Sequence, residues 1–171
     1  MKKYEFTGET KEIKLLFRTA VLHRIRATVS FGFVKIGDLG GWIEKEENLS
    51  HEGKAWVWGN AKVCGDAKVW GNAKVCGDAE VWGNAEVFSA SHVLVIGAIG
   101  SRNDFTTFYR DKDNEITVKC GCFLGKIDRF LEKVTQTHGD SKYALVYRAA
   151  VEVAKLQIDL SGEAPKDADE E

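Results

Sequence analysis

Proline occurs once in the 171 residues, at Pro165, so no strand or helix ahead of it is broken by a missing N–H. Long apolar runs are absent as well: no stretch approaches the roughly 20 residues that a helix needs to cross a bilayer. Met1-Lys2-Lys3 carries the charge of a signal-peptide start, but Tyr4-Glu5-Phe6-Thr7-Gly8-Glu9 follows in place of an apolar core. Residence in the cytoplasm is therefore expected, with no membrane partner. An excess of one charge is missing too. The 24 basic and 26 acidic residues are mixed along the chain, which leaves no long-range field to draw in nucleic acid, and no nucleic-acid partner is expected.

Cysteine is limited to four positions, and without an export signal these read as free thiols and not as a disulfide framework. Cys120-Gly121-Cys122 has one intervening residue, fewer than zinc-binding pairs use, and no second pair lies nearby. No metal and no cofactor is expected. Strand alternation would turn both of these sulfurs to one side, toward the helices that follow, as buried thiols.

What the chain does have is a repeat. Val57-Trp58-Gly59-Asn60-Ala61-Lys62 recurs as Val63-Cys64-Gly65-Asp66-Ala67-Lys68 and three more times through Glu86, with degraded copies at His51–Trp56 and Val87–His92. Ala and Val sit two apart, so a strand sends both inward and turns Lys62 and Cys64 outward. Gly followed by Asn or Asp supplies a corner, because these residues tolerate positive φ. Small Ala and larger Val then fill a narrow interior.

The repeat is stricter at twelve residues than at six, yet a twelve-residue turn would stack Asp66 on Asp78 about 4.8 Å away and Lys62 on Lys74. An eighteen-residue turn sets Lys62 against Glu80, Lys68 against Glu86 and Asn60 against Asp78. Three hexads per turn is the expected register.

The pattern of aliphatic, any, Gly, Asn or Asp, Ala, any resembles the bacterial hexapeptide-repeat superfamily. That resemblance implies a short left-handed parallel β-helix, often in a homo-oligomer. The leader Gly37-Asp38-Leu39-Gly40-Gly41-Trp42-Ile43-Glu44-Lys45-Glu46-Glu47-Asn48-Leu49-Ser50, followed by such hexads, also looks like uncharacterised proteins encoded by phages and prophages of gut bacteria.

The expected fold is mainly β. Residues 1–50 form an N-terminal β cap and leader, residues 51–98 the β-helix, 99–158 a ββαα module and 159–171 an acidic disordered tail. In the module, Phe105–Tyr109 and Ile116–Val118 read as a hairpin around Asp111–Asn114. Ile127, Phe130, Leu131 and Val134 fall at helical spacing up to Gly139, and Asp140 or Ser141 caps a second helix.

Trp58, Trp70 and Trp82 are binding candidates, since large outward aromatics are enriched where another surface covers them. Arg102, Asn103 and Asp104 lie in a small-residue turn that can hold an anion through backbone N–H groups. Two readings follow. The first is a non-enzymatic homo-oligomeric binding or scaffold protein, dimer or trimer, whose partner is a host protein or a small anionic ligand. The phage-like leader extends it to inhibiting a host defence protein or sequestering a nucleotide signal in the host cytoplasm. The second, from the superfamily, is a minimal acyltransferase with His92 or His51 as general base. The repeat proper holds no histidine and no loop is extruded between Gly53 and Gly97, so no catalytic residue is assigned on the first reading.

Overall fold

The computed structural model describes residues 1–15 and 17–161 and is mainly β, with mixed sheets and two α-helices. The N-terminal hairpin pairs β1 (Tyr4–Lys14) antiparallel with β2 (Thr19–Ala27), from Tyr4 opposite Ala27 to Lys14 opposite Thr19. The chain keeps to one strand through Thr7-Gly8-Glu9-Thr10. A register shift between Phe6 and Thr10 takes up the extra residues, with Gly8 at a φ of +92°.

The repeats supply six two-residue strands: β4 (Trp56–Val57), β5 (Lys62–Val63), β6 (Lys68–Val69), β7 (Lys74–Val75), β8 (Glu80–Val81) and β9 (Glu86–Val87). Trp56 pairs in parallel with Lys74, Lys62 with Glu80 and Lys68 with Glu86, so each strand meets the one eighteen residues on. Unlike charges face each other at two of the three pairings. The corner glycines Gly59, Gly65, Gly71, Gly77 and Gly83 have φ between +55° and +70°. The valines from Val57 to Val87 and the alanines from Ala61 to Ala85 are at most 1% exposed, which makes the interior a stack of interlocking small side chains. Each fully buried valine contributes about 1.5–3 kcal/mol of transfer free energy.

The leader continues this stack. β3 (Leu39–Ile43) pairs antiparallel with β2 on one edge and in parallel with β5 on the other, Trp42 opposite Lys62. A Cβ on Gly41 would sit 2.6 Å from the Ala61 carbonyl and 2.7 Å from Val57, so only a residue without one lets β3 approach the first repeat this closely.

Four strands follow the repeats, β10 (Val93–Ile99), β11 (Asp104–Arg110), β12 (Ile116–Cys120) and β13 (Phe123–Lys126), in one antiparallel sheet of that order. The hairpin expected from Phe105–Tyr109 and Ile116–Val118 is the central pair, β11 and β12. β10 adds itself because Val93–Ile96 pairs with Thr106–Tyr109, and β13 returns from β12 through a turn of two residues, Gly121 and Cys122. The helices α1 (Ile127–His138) and α2 (Lys142–Gln157) cover this sheet through Phe130, Val134, Tyr147 and Val151. Gly139 closes α1 with a φ of +58° and Ser141 stands at the N-cap of α2, as the spacing predicts.

The sheet also closes the repeats. Tyr109 is fully buried in the repeat core and donates its hydroxyl to the Trp82 carbonyl at 2.8 Å. The Glu80 N–H donates to Thr107 Oγ1, and the Lys112 N–H to the Asn84 carbonyl. Strand edges left open by the last repeat are thereby covered. Of the expected tail, Asp159 donates its N–H to the Ser91 carbonyl and accepts the Ser161 N–H at 2.8 Å, while residues 162–171 lie outside the described residues. Among the described residues no helix is long and apolar enough to cross a membrane.

Candidate functional site

Three parts of the chain converge on a groove of about 1130 Å³. The tip of the β1–β2 hairpin contributes Lys14, Leu15, Phe17 and Arg18; the repeat contributes Cys64 and Trp82; β12, β13 and the first turn of α1 contribute Lys119, Phe123, Leu124 and Arg129. Its size is at the upper end for small-molecule sites, and its walls are chiefly apolar. Phe17 is 94% exposed at the hairpin tip, an unusual position for a phenyl ring with no partner surface.

Ion pairs fix the walls. Arg18 donates to both oxygens of Glu44, at 2.5 and 3.0 Å, and Glu44 accepts the Gly65 N–H at 2.7 Å. The Arg18 hydrogen bond holds the Glu44 carboxyl below the usual carboxylate range against the opposing effect of burial. This clamp ties hairpin to repeat. Lys119 lies 4.2 Å over the Trp82 ring, 3.1 Å from Glu80, and donates to the Gly121 carbonyl. Lys126 is ringed by Asp111, Asp113 and Glu115 at 2.9, 2.9 and 3.0 Å.

Arg18, Lys119 and Lys126 are thus compensated where they stand. Lys14 and Arg129 have no carboxylate partner among the described residues, so they carry net positive charge to the rim. An apolar trough edged by two uncompensated cations suits a ligand with a planar or apolar body and a negative group. No histidine lines it.

Of the three tryptophans singled out in the sequence, Trp82 alone lines the groove. Trp58 is half-buried against the repeat core, and Trp70 lies 5.0 Å from Phe88, so the three belong to different surroundings and do not make one face. The two histidines, candidates for a general base, are engaged by backbone N–H groups instead. The His51 Nδ1 accepts the Lys3 N–H at 3.0 Å and its ring stacks on Tyr4 at 4.2 Å. His92 is 2% exposed, and its Nδ1 accepts the Phe88 N–H at 3.2 Å. Both sit where the chain enters or leaves the repeat and backbone N–H groups need acceptors. Burial lowers both imidazole pKa values.

Arg102 and Asp104 line a second, smaller cavity of about 180 Å³ with Cys120, Cys122, Lys133, His138 and Tyr147. Asn103 does not line it; it takes a φ of +48° in the turn and donates its N–H to the Gly100 carbonyl. Cys120 is half-buried and accepts from Thr106 Oγ1 at 3.3 Å, whereas Cys122 is exposed because it belongs to the turn and not to the strand.

The chain matches no protein-family model and no curated protein. The groove residues missed in the sequence had one local signal. Leu15 and Phe17 put apolar side chains at a hairpin tip, where Gly, Asn or Asp is the rule.

Proposed function

We propose that this is a non-enzymatic binding protein of phage or prophage origin that sequesters a small anionic ligand, a nucleotide signal, in the groove between hairpin, repeat and C-terminal sheet. The observation that carries this reading is an apolar trough with the uncompensated Lys14 and Arg129 on its rim. A base packs against Phe17, Phe123 and Leu124 while its phosphate meets the two cations. On this reading the hexads form a short left-handed parallel β-helix with three hexads per turn, the rigid wall of the site. The eighteen-residue pairing offset and the positive-φ corners support that geometry. Self-association as a dimer or trimer is part of the proposal, supported by the exposed apolar residues Leu145, Val153 and Leu156 of α2.

The test is titration of AMP and ATP into the full chain, followed by tryptophan fluorescence, with light scattering giving the mass of the same sample. The expected result is saturable binding, recovery of the nucleotide chemically unchanged, and an affinity about tenfold weaker in Lys14→Gln/Arg129→Gln. A mass of two or three chains is expected. Hydrolysed or transferred product, or identical binding by the double variant, would refute the reading.

A further inference from the structure

We propose that the 180 Å³ cavity between the β10–β11 loop, the β12–β13 turn and the two helices, which adjoins the groove across Gly121, Cys122 and Phe123, is a second site that binds a phosphate-sized oxyanion. The groups around it come from four segments far apart in the chain: Arg102 from the loop, the Gly121–Cys122 turn, Lys133 and His138 from α1, and Tyr147 from α2.

Charge decides the class of ligand. Neither Arg102 nor Lys133 has a carboxylate partner among the described residues. Asp104 is the acidic group in the lining, and its carboxylate accepts the Phe105 N–H at 2.7 Å. The cavity keeps a net positive charge, and a guanidinium with an ammonium across a small concavity is the pairing that recognises oxyanions. Size decides the rest. A volume of 180 Å³ takes one tetrahedral oxyanion with a few waters, and it is too small for a nucleoside.

Part of the lining is held in place before any ligand arrives. Gly100 packs so tightly on Tyr147 that a Cβ there would lie 1.9 Å from the phenol oxygen, which pins the loop carrying Arg102 to α2. Burial pushes the Tyr147 hydroxyl up to about 12, so it keeps its proton at neutral pH and can donate. The His138 ring is fixed between Tyr143 and Tyr147, with both ring centroids 5.8 Å away. Tyr147 and His138 are preorganised, and the ordering cost of binding falls on the exposed Arg102 and Lys133 side chains.

The experiment titrates inorganic phosphate into the full-length protein in phosphate-free buffer, reading the NMR signals of His138 and Tyr147. A saturable shift of both is expected, with affinity about tenfold weaker in each of Arg102→Gln and Lys133→Gln. In Lys14→Gln/Arg129→Gln the phosphate-induced shifts of His138 and Tyr147 should saturate as in wild type, which distinguishes this cavity from the groove. AMP and adenosine arms distinguish the source: shifts with AMP and not adenosine assign a phosphomonoester, and shifts with inorganic phosphate alone assign the free ion. Both substituted side chains are exposed, and circular dichroism confirms that the variants fold. A non-saturating shift, or the same affinity in wild type and in Arg102→Gln/Lys133→Gln, overturns the proposal.

Discussion

Asp111 is 1% exposed, yet it accepts hydrogen bonds from the Asp113 and Glu115 N–H groups, Thr117 Oγ1 and Lys126 Nζ. Burial alone would raise its pKa. Hydrogen bonds from Thr117 and Lys126, aided by the backbone donors, outweigh burial and bring the carboxyl below its ordinary value. Because folding lowers this pKa, the stabilisation is complete above the unfolded-state value and fades as pH falls through the lower native one. Asp111→Asn removes the charge and leaves Lys126 with only the exposed carboxylates of Asp113 and Glu115. Thermal unfolding at pH 7 is expected to show a loss of about 2–3 kcal/mol. The gap between wild type and variant should persist to mildly acidic pH and close only below the ordinary carboxylate range. A gap that widened as pH fell would contradict the assignment. Nothing in the sequence marks this residue out, because Asp111-Lys112-Asp113-Asn114 reads equally well as a solvated turn. Its burial follows from β13 bringing Lys126 alongside and from the last repeat seating on the turn, an Ala85–Asp111 bridge included.

At the scale of elements, the hexads were legible because each carries its own instructions: a corner at Gly-Asn or Gly-Asp, two inward positions, and charges whose signs choose the offset. Lys62–Glu80 and Lys68–Glu86 are opposed as that logic requires, although the Lys62–Glu80 pair is a loose 3.9 Å and contributes little to stability. The four-stranded sheet was only half legible. β10 and β13 each pair with the strand next to them in the chain, but Val93–Ile99 is apolar throughout and Phe123–Lys126 is four residues long, so neither carries an alternation of apolar and polar residues. The leader glycines make the same point in testable form. Gly41 lies where a methyl group would strike the Ala61 carbonyl, whereas a Cβ on the corner residue Gly59 would be 4.0 Å from its nearest neighbour. Gly41→Ala is expected to cost about 2–3 kcal/mol or to displace β3 from β5. Gly59→Asn, which keeps a residue tolerant of positive φ, should cost well under 1 kcal/mol. Chemical denaturation of the two variants reads both, and equal losses would mean that β3 is not seated on the first repeat.

Over the whole molecule, the candidate groove was illegible for a plain reason: it belongs to no single element. Its hairpin tip, its repeat corners and its β12–β13 wall meet only after folding, and of the binding candidates read from the sequence Trp82 alone lines it. The same convergence couples the parts energetically. Glu44 joins hairpin to repeat through Arg18 and Gly65, Tyr109 plugs the repeat core, and Thr107 and Lys112 occupy backbone groups of the last repeat. A chain cut after Val93 would lose Tyr109 from the repeat core and leave the Glu80 N–H and the Trp82 and Asn84 carbonyls without these partners. Unfolding should therefore be one cooperative transition, with calorimetric and van't Hoff enthalpies in agreement for residues 1–161. Tyr109→Ala removes a fully buried ring from this junction and should lower stability by about 3–5 kcal/mol while keeping a single transition. If the variant instead unfolded in two steps, with the C-terminal sheet and helices melting apart from the repeat, the junction would be a contact between independent domains and the groove would lose its fixed geometry.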